Sequence, residues 1–117
     1  TMKQMILGLL LLGFIGMAIA GDGYFQKGSQ GIMHFVQVDK DKATDLVTYR
    51  RAIDELCAPK ETCQVLFWTE DAPVRMPFTR GQHRGKTAYW QYKAKQDSHV
   101  FYIDCELFGT VPDTQCL

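Results

Sequence analysis

Six cations, Arg75, Arg80, Arg84, Lys86, Lys93 and Lys95, follow one another with no acid between Asp71 and Asp97, and His83, Tyr89, Trp90 and Tyr92 are interleaved among them. Guanidinium forks offer paired N–H donors to a carboxylate or phosphate, and aromatic faces receive sugar rings or apolar groups. The set that this chemistry singles out is Arg75, Arg80, His83 and Arg84, with Trp68 and Trp90 as apolar walls and Glu70 and Asp71 leading the adjoining loop. It would take an anionic ligand or a protein partner. The opposing reading is a solvated helix face whose aromatics are core. A formal net charge of zero, from 13 basic and 13 acidic residues, favours that reading, since no global field draws in nucleic acid or a membrane surface.

For acid–base chemistry the best set is His83, His99, Asp104 and Glu106, with Asp39 or Asp71 as orienting carboxylates. Nothing in their spacing ties them together. A nucleophile elbow, a phosphate loop and a metal-binding HExxH are all missing. Asp54 and Glu55 are adjacent on a helix, about 100° apart, and cannot address one substrate atom. The expectation is a protein that binds and does no chemistry, with no cofactor or metal.

Four cysteines in a short chain are the third chemical group. Cys57 and Cys63 are too far apart for a CxxC redox pair, and Cys105 and Cys116 supply no second close pair for zinc. Disulfides are the expectation. Pro59 turns the chain between Cys57 and Cys63 and brings them within bridging reach, which leaves Cys105 to hold the tail through Cys116. A bridge from either early cysteine to Cys105 would crosslink helix and sheet as well, and stays open.

The oxidising compartment that disulfides need agrees with the N-terminus. Lys3, an apolar run over 6–19 and Ala18-Ile19-Ala20 read as a signal peptide over residues 1–20, with a retained membrane anchor as the alternative. Gly-rich residues 21–31 read as a flexible entry, and residues 32–117 as a single domain.

Within that domain the β-branched and aromatic run 32–38 reads as a strand in which His34 is a half-buried core histidine. Apolar residues at three and four spacings over 43–57 predict a helix capped by Asp39 or Asp41, with Ala43, Leu46, Val47, Ile53, Leu56 and Cys57 inward. The run 63–69 (CQVLFWT) predicts a strand covered on both faces, parallel to the first through a right-handed crossover. Two prolines make 70–78 a loop. Thr79-x-x-Gln82 has the form of a capping box and predicts a second helix from Arg80 to about Lys93, although 87–92 (TAYWQY) serves equally as a strand. Residues 99–108 read as the last strand and 109–117 as a tail.

The fold class expected is therefore α/β or α+β, in the order β-α-β-α-β, with three strands and two helices. The function expected is a small periplasmic or secreted binding or accessory protein. Its rivals are an inhibitor or immunity-type protein using the loop 70–78, and a membrane-anchored accessory subunit.

Overall fold

Six strands hydrogen-bond in the same order in which they occur in the chain, so each strand finds its partner among its sequence neighbours. The computed structural model describes residues 22–117, and the signal peptide or anchor expected at 1–20 lies outside the described residues. The strands are β1 (Tyr24–Gln30), β2 (Met33–Val38), β3 (Cys63–Thr69), β4 (Ala88–Lys93), β5 (Ser98–Ile103) and β6 (Gln115–Cys116). Helix α1 (Leu46–Leu56) joins β2 to β3, and the one-turn α2 (Cys105–Phe108) follows β5. Pairing is antiparallel except between β2 and β3 and between β5 and β6. β2 and β3 are parallel and joined through α1, as expected, but the sheet has six strands where three were expected. This is an α+β domain.

Alternation along β3 sorts the core into two layers. Cys63, Val65 and Phe67 face α1 and join Val36, Val38, Tyr49, Phe101 and Ile103. Leu66 and Trp68 face away and join Phe35 and Val74, with Met33, Phe78 and Tyr89 packed around them. The second layer is covered by the connection 70–86, which contains no α-helix. Complete burial of each Val, Leu or Phe contributes about 1.5–3 kcal/mol, so both layers hold the sheet.

The sequence expectations fail at four places, each for a local reason. Residues 24–30 form β1 and no flexible entry: Gln26, Ser29 and Gln30 leave their side chains in water while the backbone pairs with β2, and Gly31, at φ 62°, makes the turn. Strand pairing needs only the main chain, so the small polar composition of this stretch hid it. Residues 80–93 are not a helix. Arg80–Gly85 is a six-residue 3-10 turn, Thr79 makes no side-chain cap, and Lys86 (ψ 143°) carries the chain into β4. Gly81 and Gly85 weaken a helix where aromatic and β-branched residues 87–92 favour a strand.

The last strand ends at Ile103, because the Asp104 carboxylate accepts from the N–H groups of Glu106 and Leu107 and starts α2. Cys105 and Leu107 thus leave the sheet, and the supposed tail returns as β6. On α1 the cap is Asp45, which accepts from the Val47 N–H, and not Asp39 or Asp41. Its buried face is Thr48, Tyr49, Ala52 and Ile53, leaving Val47 60% exposed.

Both expected disulfides are present, Cys57–Cys63 and Cys105–Cys116, with Cα atoms 5.9 and 5.4 Å apart. The first closes α1 onto the start of β3, and the second holds β6 to α2. They mark a protein of an oxidising environment. Among the described residues no helix is long and apolar enough to cross a membrane.

Candidate binding groove

The register of β4 with β5 sets Trp90 opposite Phe101 and Tyr92 opposite His99, on the sheet face that α1 only partly covers. Period-two alternation aims Trp90 and Tyr92 the same way, two residues apart. Their rings are stacked, centroids 6.4 Å apart and planes 13° from parallel, and the His99 ring lies 6.5 Å from Trp90 at 31°. The stacked Trp90 and Tyr92 rings, with His99 tilted beside them, form the floor of the site. A cleft of about 770 Å³ opens over one end of it, between α1 and the segment Asp113, Thr114 and Gln115. A second, of about 460 Å³, opens over the other end beside Pro59 and Lys60. Ile53, Asp54 and Trp90 line both, so the two are one groove.

Each wall follows from local sequence. Arg50 and Asp54 are four residues apart on α1 and so stand on one side of the helix above the floor. Both are exposed, and neither is in an ion pair among the described residues, so a guanidinium and a carboxylate are free to meet a ligand. The opposite wall is held by Cys105–Cys116 and by the Thr114 hydroxyl, which donates to the Val111 carbonyl at 2.7 Å. At the far end the Tyr92 hydroxyl donates to Asp97 at 2.6 Å. That bond holds the Asp97 carboxyl below its ordinary range, helped by Lys60, and pushes the Tyr92 hydroxyl up. Asp54, Glu61, Asp97 and Asp113 outnumber Arg50 and Lys60 along the groove, which is therefore net acidic.

The arginine set singled out by the sequence is placed elsewhere. Trp68 and Trp90 project from opposite faces of the sheet, and Trp68, 1% exposed, is no pocket wall: its indole N–H donates to the Gln82 carbonyl at 2.8 Å. Gln82 organises the covering loop. Its side-chain oxygen accepts from the Arg75 N–H at 2.6 Å, and its amide donates to the carbonyl of Arg75 at 3.0 Å, as a neighbouring strand would. Arg75, Arg80 and Arg84 remain exposed along this loop. Glu70 accepts from the Lys40 backbone N–H, and Asp71 pairs with the Lys40 ammonium at 3.4 Å, so both acids tie the end of β3 to the turn after β2.

Of the possible acid–base residues, His83, Asp104 and Glu106 line one cleft of about 590 Å³ with Arg84 and Lys86, while His99 belongs to the aromatic groove. His83 stacks edge-on against Phe78 at 4.9 Å, and Lys86 lies 3.0 Å from its Nδ1. Burial, then Lys86 and Arg80, hold the imidazole below its ordinary pKa, so at neutral pH it is uncharged and accepts from the ammonium. Asp104 is engaged as the cap of α2. Asp39 caps no side-chain bond, and no group of three or more His, Cys, Asp or Glu fit for a metal occurs among the described residues. His34 meets Gln26 at 3.0 Å, and burial lowers its pKa.

Sequence reasoning named Tyr92 beside Trp90 but missed Arg50, Asp54, His99 and Asp113 as their companions. Two signals bear on the groove, the i, i+4 spacing of Arg50 and Asp54 and the period-two placement of Trp90 and Tyr92 once 87–92 is read as a strand, while nothing in the sequence points to His99 or Asp113. Comparison of the chain with protein-family models, with curated proteins and with solved structures finds no match. Function therefore has to be argued from the site alone.

Proposed function

We propose that this domain is a non-catalytic binding or accessory protein of the periplasm or the extracellular space, and that its binding face is the groove between α1 and β4–β5. The observation that carries this reading is the Trp90 floor: a large aromatic left partly open to solvent, flanked by Tyr92 and His99 and rimmed by Arg50 and Asp54, which are in no ion pair among the described residues. Aromatic anchors in a partly apolar, concave site are where binding free energy concentrates. The loop 70–86 supports the groove in preference to the arginine surface. Gln82 braces that loop from within and the buried Val74 anchors it on the sheet, which suits a cover over the second core layer.

A photo-crosslinking residue placed at position 99 or at position 80 and expressed in the native cells tests the assignment. The groove reading expects a specific adduct from position 99 and none from position 80. An adduct from position 80 alone would move the binding face to the arginine surface. Adducts confined to membrane-complex subunits would support the anchored-subunit class.

A further inference from the structure

Granted that the groove is the binding face, we propose that its occupant is an extended basic peptide segment that adds as a strand to the outer edge of β5. Strand β6 pairs only with Tyr102 and Ile103, so among the described residues the edge of β5 over Ser98, His99, Val100 and Phe101 carries no neighbour. The Asp104 N–H donates to the Thr87 carbonyl, which phases the β4–β5 ladder and turns the main-chain groups of His99 and Phe101 toward that open edge. Beside it, the chain turns off the sheet at Asp113, φ 63°, before β6 begins. The 770 Å³ cleft occupies this gap, bounded by His99, Val100 and Phe101 on one side and Asp113, Thr114 and Gln115 on the other.

An added strand would satisfy the free main-chain groups, and its alternate side chains would enter the groove over Trp90 and His99. Charge selects the sequence of that strand. With Asp54, Glu61, Asp97 and Asp113 against Arg50 and Lys60, a Lys or Arg side chain finds a carboxylate rim and an aromatic face, while an acidic segment is repelled. The other free edge, β1, carries a bulge between Gln26 and Gly28 and the Lys27 ammonium over Phe25, both of which discourage pairing. The β5 edge has neither.

The test titrates the domain with a capped hexapeptide alternating Lys and Val, its Glu–Val counterpart, a backbone N-methylated Lys–Val analogue and the neutral glycan chitohexaose. Trp90 fluorescence and the amide signals of His99 and Phe101 are followed. The Lys–Val peptide should shift Trp90, slow amide exchange at Phe101 and weaken with salt. N-methylation, which removes the ladder donors, should cost about tenfold in affinity. Asp54→Asn and Asp113→Asn, both exposed and isosteric, should weaken binding severalfold without unfolding the domain. Equal binding of the Glu–Val or N-methylated peptide overturns the proposal. Binding of chitohexaose alone overturns it too but leaves the groove reading standing, and silence of Trp90 toward all four probes, with the position-99 adduct missing as well, removes both.

Discussion

Tyr49→Phe removes one oxygen from the point where α1 is pinned to the sheet, and so to the groove that α1 walls. The Tyr49 ring is fully buried, and its hydroxyl donates to the Ala43 carbonyl at 2.7 Å. Having spent its proton there, it accepts from the Thr87 hydroxyl at 2.9 Å, at the entrance to β4. Each bond contributes about 0.5–1.5 kcal/mol net, so loss of both should cost about 1–3 kcal/mol at neutral pH. Thr87 can turn to the Phe67 carbonyl, 3.4 Å away, which favours the lower half of that range.

A pH dependence belongs to the same oxygen. Burial pushes the Tyr49 hydroxyl up to about 12 from its ordinary 10, so the folded state holds the proton more tightly than the unfolded chain. Its contribution is complete below pH 10 and is lost as pH rises toward 12, at most about 2 × 1.36 or 2.7 kcal/mol. Burial also raises Tyr24 and Tyr89, so the difference between wild type and Tyr49→Phe isolates this residue, not the raw alkaline slope. Urea denaturation of both proteins at pH 7 and from pH 10 to 12, with Thr87→Val to close a double-mutant cycle, gives the assay. Equal stability at pH 7, or an equal loss from pH 10 to 12, would refute the reasoning.

Replacing Cys105 and Cys116 by Ser opens an eleven-residue separation and should cost about 3 kcal/mol, against about 2 for the six-residue separation of Cys57 and Cys63; chemical denaturation compares them. Only the Cys105–Cys116 pair should also release the Asp113–Gln115 wall, seen as faster amide exchange at Gln115. Gln82→Ala should cost about 1–3 kcal/mol and expose the Trp68 indole, read as a red-shifted emission, because the Arg75 main chain loses its side-chain partner. Gln82→Glu keeps the acceptor for the Arg75 N–H but sets a carboxylate oxygen against the Arg75 carbonyl, and should cost at least as much at neutral pH. Replacing Arg75, Arg80 and Arg84 together by Ala should change stability by no more than about 0.5 kcal/mol per residue and leave groove binding intact, since all three are exposed and none is in an ion pair among the described residues. Unfolding of that triple variant would make the arginines structural.

What residue order alone determined is what local physics determines. An almost continuous apolar run made 63–69 a two-sided strand, helical periodicity ending before Pro59 placed α1, and the Pro59 turn brought Cys57 to Cys63. Those features rest on contacts within a few residues or on burial that any partner would satisfy. Tertiary structure decided the rest. Whether 87–92 became helix or strand depended on the two edges waiting for it, β3 on one side and β5 on the other, since its propensities allow both. The stretch 24–30 became β1 because β2 offered an open edge, a reason that no side chain in it announces. The site followed from those choices. Once 87–92 is a strand, alternation sends Trp90 to the face opposite Trp68, separates the arginines from Trp90 and Tyr92, and brings Trp90 to Arg50, Asp54, His99 and Asp113. A shift of one residue in a strand exchanges its faces, so composition could name the aromatic and charged residues but only the register of the sheet could group them.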